Sequence, residues 1–225
     1  MKKNIKGQDF FLKNYLRGKT AVFMDYANVK SWLIYAKVNL DLKNLYLYFA
    51  ESGVTKSFFY YGTDPQNPKT YGFLQKVRSF GYEVITKQVR YYKINLLELF
   101  EKPVNKRILK NLNPQVKSLF LQELKRLQKK KVNLFTPKCN FDVEMSLDMI
   151  MGIKTYDTFI IFSGDGDFTS VVKFLRTKGR RVVIVAKRKF LAGSLIENCD
   201  IFINFDKLIE VKNLIKKQKY PFGYS

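Results

Sequence analysis

Four aspartates stand where an apolar or helical segment meets polar sequence. Asp25 ends the run TAVFMD, Asp165 and Asp167 follow TFIIF within SGDGDF, and Asp142 begins DVEMSLDMIMG. Carboxylates that converge on one point repel each other, and an oxygen-only ligand set suits Mg²⁺ or Mn²⁺. Lysines could neutralise them instead, since the chain contains 41 lysines and arginines. We expect the four aspartates to hold Mg²⁺ or Mn²⁺.

The segment SGDGDF could bring its two carboxylates to the same point. Gly164 and Gly166 permit a tight turn, and Ser163 could hydrogen-bond a carboxylate or a phosphate. A divalent ion held there would activate water and stabilise phosphate oxygens during in-line displacement. A lone aspartate after a strand is more often a turn former or a helix cap, and Asp142 could be such a cap. Convergence of three acidic segments on one sheet edge favours catalysis.

The sequence argues against several other mechanisms. It contains no histidine and only two cysteines, so zinc ligation and histidine-based catalysis are not expected. The glycine-rich signatures of dinucleotide and P-loop sites are missing, and so is the acidic spacing of an EF-hand. Tyr26 and Ala27 follow Asp25, unlike the DxD of HAD-type phosphatases. Any catalysis must depend on carboxylates, a metal ion or lysine.

Apolar runs predict the strands that would position the aspartates. They cover residues 20–25, 54–62, 82–89, 158–162, 181–186 and 200–205, the last at a sheet edge. Helical patterns cover residues 28–38, 41–52, 68–80 and 167–178. Near-continuous apolar strands separated by helices predict an α/β fold, with a central, mainly parallel sheet of five to six strands. Such sheets bind ligands at the carboxyl ends of their strands, where these aspartates are expected.

The strand pattern is interrupted between residues 91 and 137. This segment predicts one short and one longer amphipathic helix, and the mostly apolar face of the longer helix contains Leu119, Leu121, Leu124 and Leu127. It leaves after the third strand and returns just before Asp142. We therefore expect it to form one wall of a basic groove that leads to the aspartates. A plain structural connection and a dimer contact are the alternatives.

The net charge of +22 predicts a polyanionic partner. Nucleic acid is the first expectation and an anionic membrane surface the second, while a merely lysine-rich surface is the simplest alternative. Residues 87–138 contain fourteen basic and three acidic residues, and residues 168–192 contain eight basic and no acidic residues. This segregation favours a face that contacts a phosphate backbone with weak sequence preference.

Individual side chains near the predicted site could contact a nucleic acid. Tyr26 follows Asp25, and Tyr91 and Tyr92 lie between Arg90 and Lys93, so these rings could stack on unpaired bases. The longer helix of the 91–137 segment leaves a basic set for solvent or phosphate, namely Lys125, Arg126, Lys129, Lys130 and Lys131.

Hydropathy predicts the compartment. No run of eighteen apolar residues indicates a membrane span, and the basic N-terminus lacks the apolar stretch of a signal peptide. We expect a cytoplasmic protein without a membrane partner. The oligomeric state is left open, with a homodimer among the possibilities.

Four segments resemble the NYN group of PIN-like nucleases, in its LabA-like branch. They are FMDYANV, KCNFDVEMSLDMI, TFIIFSGDGDF and KGRRVVIVAKRKFLAGSLIENCDIFINF, in the order of the family, and the similarity covers most of residues 20–208. The resemblance implies a three-layer α/β/α PIN-like fold with a metal-dependent RNA-cleaving site at residues 20–210. A basic extension (1–19) and a basic tail (211–225) flank this domain. The helical insertion at 91–137 is longer and more basic than the family core requires.

The resemblance also assigns residues. The family's first-strand aspartate and the asparagine after it correspond to Asp25 and Asn28, and its S-G-D-x-D-F element corresponds to Ser163, Asp165 and Asp167. We expect Asn28 and Ser163 to orient water or phosphate.

Two further positions follow from the family's K-x-x-x-D-V motif and its later helical acid. The motif corresponds to Lys138 and Asp142, and the helical acid corresponds to Asp148. Lys138 joins the predicted RNA contacts. Asp148 comes six residues after Asp142, about 240° around an ideal helix, so the two side chains cannot point the same way if both are helical. We expect Asp148 to position the metal ligands without binding the metal ion itself.

Two hypotheses from different classes remain at this point. The first is a metal-dependent ribonuclease, expected to cut within the chain. The second is a catalytically silent RNA- or protein-binding regulator on the same scaffold. They differ in whether the four carboxylates gather around one metal position.

Overall fold

The computed structural model describes residues 12–95, 99–100, 109–130, 134–211 and 213–216. The chain divides into two compact units. The sheet unit comprises Met1–Lys87 and Asn140–Ser225, and the hairpin unit comprises Gln88–Cys139. Within the described ranges, no helix is both long enough and apolar enough to cross a membrane.

The strands of the described chain are β1 (Thr20–Asp25), β2 (Asn39–Leu40), β3 (Val54–Tyr60), β4 (Glu83–Ile85), β5 (Arg90–Ile94), β6 (Leu134–Lys138), β7 (Thr158–Phe162), β8 (Arg181–Ala186), β9 (Ile201–Asn204) and β10 (Ile215–Lys216). The large sheet has the order β4–β3–β1–β7–β8–β9, and every neighbouring pair is parallel. The predicted α/β fold with a parallel sheet is confirmed. The strand order reverses between β1 and β7, which is the switch point where such sheets bind ligands.

The α-helices of the described chain are α1 (Tyr26–Ala36), α2 (Leu42–Glu51), α3 (Lys69–Ser79), α4 (Pro114–Lys129), α5 (Asp142–Met151), α6 (Thr169–Thr177), α7 (Gly193–Asn198) and α8 (Phe205–Ile209). Asp41 caps α2 by accepting the N–H groups of Lys43 and Asn44. The chain leaves α6 through Gly179, whose φ of +73° is easily reached only by glycine. Residue types at the helix ends therefore set where α2 begins and α6 stops.

Apolar residues on both faces of the central strands explain why the sheet is buried. Phe23 of β1 and Phe159 of β7 are fully inaccessible, and their stacked rings have centroids 5.7 Å apart. Trp32 of α1 is also inaccessible and packs against Phe205 of α8, with centroids 5.3 Å apart. The helices thus cover the sheet, as the three-layer fold requires.

The hairpin unit differs from the helical segment predicted at residues 91–137. Its two ends form an antiparallel ladder, in which β5 pairs with β6 from Arg90 opposite Lys138 to Ile94 opposite Leu134. The longer predicted helix is present as α4, with Asn113 as its cap. Most of the shorter predicted helix lies outside the described residues.

One leucine of the predicted apolar face of α4 points to solvent. Leu124 is buried, and Leu121 and Leu127 are half-buried, whereas Leu119 is 63% exposed. Leu119 is five residues before Leu124, about 140° away around the helix, so the two cannot share one narrow face.

Parts of the predicted extension and tail pack onto the sheet unit. Leu12 is buried, and the backbone of Arg17 hydrogen-bonds with the hydroxyl of Thr158 in both directions. Leu214 is buried as well, and β10 pairs antiparallel with β2. The described residues of both segments are therefore parts of the folded unit.

Candidate metal centre

Three carboxylates from two segments of the sheet unit meet. Asp142, Asp165 and Asp167 each offer one oxygen, and these oxygens lie within 4.8 Å of one another. Asp142 is half-buried, while Asp165 and Asp167 are exposed. These three residues are called the acid cluster. The structure thus brings together three of the four predicted metal ligands.

The turn after β7 is shaped by its glycines and by Ser163. A side chain at Gly164 would collide with the carbonyl oxygen of Phe190. Asp165 donates its N–H to Ser163 Oγ at 3.1 Å and accepts the N–H of Asp167 at 3.0 Å through Oδ1. Ser163 is fully buried, so its role is to shape the turn, in place of the predicted contact with water or phosphate.

Asp142 is the first residue of α5, and Asn140 orients it. Asn140 Oδ1 accepts the N–H of Asp142 at 2.7 Å, and its amide nitrogen donates to Asp142 Oδ2. Burial raises the pKa of Asp142, and the negative charges of Asp165 and Asp167 raise it further. Asn140 is a site residue that the sequence reasoning missed. An Asx residue two positions before a helix is the signal that could have found it.

Asp25 lies beside the acid cluster and is not one of its members. Its Oδ1 accepts the N–H groups of Ala27 and Asn28 at 3.1 and 3.4 Å, so it caps α1. Its Oδ2 accepts the side-chain amide of Asn28. Burial raises the pKa of Asp25, and the charge of Asp142 adds to that rise. Asn28 therefore orients Asp25, and its predicted contact with water or phosphate stays a prediction.

Lys87 places a positive charge next to these acids. Its Nζ is 2.6 Å from Glu144 Oε1 and 5.0 Å from the ring centroid of Phe141. The Lys87 hydrogen bond lowers the pKa of Glu144, and the same charge opposes the rise in the pKa of Asp142. The sequence reasoning counted Lys87 only within a basic run. Lys87 lies near the carboxyl end of the strand predicted at residues 82–89, at the edge where ligands bind, and this position is the signal that could have singled it out.

Asp148 faces a different partner from the acid cluster. It accepts a hydrogen bond from the hydroxyl of Tyr60, the last residue of β3, at 2.8 Å. Burial and this hydrogen bond raise the pKa of Tyr60. Asp148 is outside the metal-binding group among the described residues. The predicted supporting role for Asp148 stays a prediction.

Tyr26 is enclosed by other aromatic side chains. Its ring centroid lies 4.6 Å from that of Phe59, 5.2 Å from that of Tyr61 and 5.4 Å from that of Phe73. Burial, with a smaller effect of Tyr61, raises the pKa of Tyr26 to about 12. These contacts give the half-buried Tyr26 a packing role, and its predicted stacking on RNA bases stays a prediction.

The predicted RNA contacts of the hairpin unit are solvent-exposed wherever they are described. They are Arg90, Lys93, Lys125, Arg126, Lys129, Lys130 and Lys138. Tyr92 is 49% exposed, and Lys138 Nζ lies 5.7 Å from its ring centroid. Lys131 lies outside the described residues. Exposure leaves these side chains accessible, and their role in RNA binding stays a prediction.

The donor set of the acid cluster fits a hard divalent cation. Its ligands are carboxylate oxygens alone, which Mg²⁺ and Mn²⁺ prefer. Three negative charges within 4.8 Å also repel each other, and a bound cation would relieve that repulsion. The cluster can therefore hold a metal ion at the switch point of the sheet.

A parallel α/β sheet with acidic residues at this switch point has the architecture of a PIN-like, nuclease-type domain. The NYN domain family model matches residues 19–210. The chain therefore belongs to the NYN domain family.

Two known proteins resemble this chain over most of its length. It is 25% identical to the Low amplitude and bright protein LabA of Synechococcus elongatus (strain ATCC 33912 / PCC 7942 / FACHB-805) over 211 residues, which cover 90% of each protein. This similarity supports the LabA-like branch. A crystal structure of a protein of unknown function, VPA0982 from Vibrio parahaemolyticus RIMD 2210633, has the same fold. The TM-score is 0.58 at 19% identity, and the match covers 86% of this chain and 95% of that one.

Proposed function

We propose that this protein is a metal-dependent ribonuclease that hydrolyses phosphodiester bonds within RNA. The observation that supports it best is the acid cluster at the switch point of a sheet that belongs to a nuclease-type family. The net charge of +22 supports a polyanionic substrate.

The acid cluster would hold Mg²⁺ or Mn²⁺ through Asp142, Asp165 and Asp167. When bound, such an ion activates water and neutralises charge on the phosphate oxygens. Asp25 supplies a fourth carboxylate, and its connection to Asn28 and to the start of α1 keeps it oriented beside Asp142. In this proposal Asp25 completes the ligand set or accepts a hydrogen bond from the attacking water.

Two neighbouring side chains orient Asp142 and favour its ionised form. Asn140 fixes the rotamer of Asp142. Mutation of such hydrogen-bond partners of metal ligands typically lowers metal affinity by about 10- to 100-fold. The charge of Lys87 favours the ionised form of Asp142. Its ammonium group would also attract a phosphate that approaches the cluster.

A catalytically silent binding module is the second candidate, and one surface favours it. Four apolar side chains of α5 are exposed along one side of the helix, namely Val143, Leu147, Ile150 and Met151. Exposed apolar stripes of this kind often contact another protein. Under this alternative the metal cluster would have lost its catalytic use while the domain still binds RNA or protein.

The experiment that tests the proposal uses RNA labelled at both ends, single-stranded or structured, with Mn²⁺, Mg²⁺ or EDTA. Wild type is expected to release internal fragments only with a divalent ion, and Asp165→Asn is expected to be inactive. Glu197→Gln removes an exposed charge from α7 and should cleave like wild type. Full activity of Asp165→Asn would refute the proposed site. A wild type that binds Mn²⁺ by calorimetry without cleaving any RNA would favour the silent module.

A further inference from the structure

Four arginines surround a cavity at the opposite end of the strands from the acid cluster. The cavity has a volume of about 540 Å³ and is lined by Arg17, Arg176, Arg180 and Arg181 together with Asp157 and Asp200. These residues precede β1, β7, β8 and β9 or begin β8, except for Arg176 near the end of α6. It is called the arginine cavity. All of its residues belong to the sheet unit.

The two aspartates of the arginine cavity are already used by the fold. Asp157 accepts the N–H of Lys19 at 3.0 Å, and Asp200 accepts the N–H of Val182 at 2.8 Å. Their other oxygens accept hydrogen bonds from Arg180 at 2.7 Å and from Arg176 at 2.9 Å. The two carboxylates therefore hydrogen-bond to backbone N–H groups near the starts of strands and orient two guanidinium groups. With four arginines and two aspartates, the cavity keeps an excess of two positive charges.

The guanidinium groups retain many unused donors. Each has five N–H bonds, yet Arg180 and Arg181 each make one hydrogen bond to a described residue, and the guanidinium of Arg17 makes none. Arg180 Nε is buried and has no partner among the residues that the structure describes. Because Nε has almost no accessible surface, a ligand in the cavity would bind the other N–H groups of these guanidiniums.

The cations of the cavity also repel each other. Burial lowers the pKa of Arg181, and the neighbouring charge of Arg17 lowers it further, while Asp200 acts in the opposite sense. An anion between Arg17 and Arg181 would remove this repulsion. The missing side chain of Gly18 leaves room for the carboxylate of Asp157, with which a Cβ at this position would collide.

We propose that the arginine cavity binds a phosphomonoester dianion. Two observations support it: the excess of two positive charges, and the guanidinium N–H groups, above all those of Arg17, that have no partner among the described residues. A phosphomonoester carries between one and a half and two negative charges near neutral pH, which matches this excess, and arginine forks bind its oxygens in pairs. The source would be a free mononucleotide or the terminal phosphate of an RNA.

The cavity is separate from the acid cluster. Strand β7 has five residues and separates Asp157 from the turn that contains Asp165. At about 3.3 Å per residue, the two sites are roughly 17 Å or more apart. A phosphate in the cavity therefore cannot be the phosphate next to the acid cluster. Phosphate binding in the arginine cavity does not depend on whether the protein cleaves RNA.

Calorimetry on the full chain in EDTA, at fixed ionic strength, tests the proposal with inorganic phosphate and with adenosine monophosphate. Wild type should show saturable binding, and Arg17→Gln should weaken it roughly tenfold or more, because charge-assisted bonds are lost. Arg17 is suitable because only its backbone makes hydrogen bonds to described residues. Arg78→Gln, an exposed arginine of α3, is the matched control and should bind phosphate like wild type.

Short RNAs with a 5′-phosphate or a 5′-hydroxyl distinguish the two sources. Tighter binding of the phosphorylated RNA, abolished in Arg17→Gln, would identify a terminal phosphate, whereas preference for the mononucleotide would identify a free ligand. Asp165→Asn should keep the phosphate site intact, so failure of the nuclease proposal would not affect this result. Absence of saturable phosphate binding by wild type, or equal weakening in Arg17→Gln and Arg78→Gln, would overturn the proposal.

Discussion

The two ends of the same parallel strands carry opposite charges. At the carboxyl edge, Asp142, Asp165 and Asp167 crowd together, and only Lys87 among the described cations is seen to offset the charge of Asp142. At the amino edge, each aspartate is paired with an arginine, and cations remain in excess. Like charges left without full compensation indicate what each edge can bind. The carboxyl edge suits a cation, and the amino edge suits an anion.

The largest expected effect is on RNA cleavage at the carboxyl edge, without a change at the amino edge. Asp165→Asn removes a metal ligand, so RNA cleavage should fall about a hundredfold or more, since even outer partners of metal ligands change activity 10- to 100-fold. Phosphate binding at the arginine cavity should not change. Initial cleavage rates with Mn²⁺ and calorimetry with inorganic phosphate measure the two effects on one preparation. If Asp165→Asn lost both, the two edges would not be independent.

The second-largest expected effect tests whether the hairpin unit contributes to RNA affinity. Charge reversal at Lys129, Lys130 and Lys131 should weaken RNA binding by about tenfold or more and reduce its salt dependence, because phosphate contacts release counterions. The groove model predicts an unchanged elution volume in size-exclusion chromatography. Unchanged RNA binding with an altered elution volume would instead identify a dimer contact. Arg17→Gln, tested in parallel, shows how much affinity comes from the amino edge.

A smaller effect concerns the support of Asp25. Asn28→Ala removes the amide that holds Asp25 Oδ2, so Mn²⁺ affinity should fall by roughly tenfold. Isothermal titration with Mn²⁺ measures this change. Ser31→Ala on the same helix removes a side-chain hydrogen bond to the carbonyl of Asn28 and serves as the control. Equal Mn²⁺ affinity in both variants would show that Mn²⁺ binding does not depend on the Asn28 amide.

The smallest expected effect is on the free energy of unfolding, measured in EDTA so that no metal ion is bound. The pKa of Asp25 is raised above its ordinary value of 3.8, chiefly by burial, so the folded state binds its proton more tightly than the unfolded state does. The stabilisation of the folded state by this tighter proton binding is complete below about pH 3.8 and is lost as the pH rises through the raised pKa. Asp25→Asn keeps the helix cap and removes the buried charge, so it should stabilise the protein at pH 7 by up to about 1 kcal/mol. Urea unfolding at pH 4 and pH 7 measures it, and an equal effect at both values would contradict this cause.

The central strands were predictable to the residue because their environment is simple. β1, β7 and β8 are buried on both faces, so their sequences are continuous apolar runs with clear ends. β4 is a sheet edge and ends at Ile85, four residues before its predicted end, where the polar run TKQ begins. The β5–β6 ladder was missed because its sequence mixes basic, aromatic and apolar residues without a consistent alternation.

The site was predictable where chain topology alone decides position. The turn after β7 must reach the carboxyl edge, so Asp165 and Asp167 could be placed there from sequence. The hydrogen-bond partners could not be placed in this way. Whether Asn28 faces Asp25 or solvent, and whether Lys87 reaches Glu144, depends on rotamers that only the packed structure fixes.

The strand order also constrains the folding of the chain during synthesis. β1 lies between β3 and β7, and Thr20 pairs with Thr158, so one side of β1 has no partner until the second half of the chain is made. Ribosomes add about 5–20 residues per second, so the interval from β4 to the end of β7 lasts roughly 4–15 seconds. During this time an apolar strand with an open hydrogen-bonding edge is exposed to other chains. The hairpin unit, made within the same interval, lengthens the time for which this aggregation-prone edge is exposed.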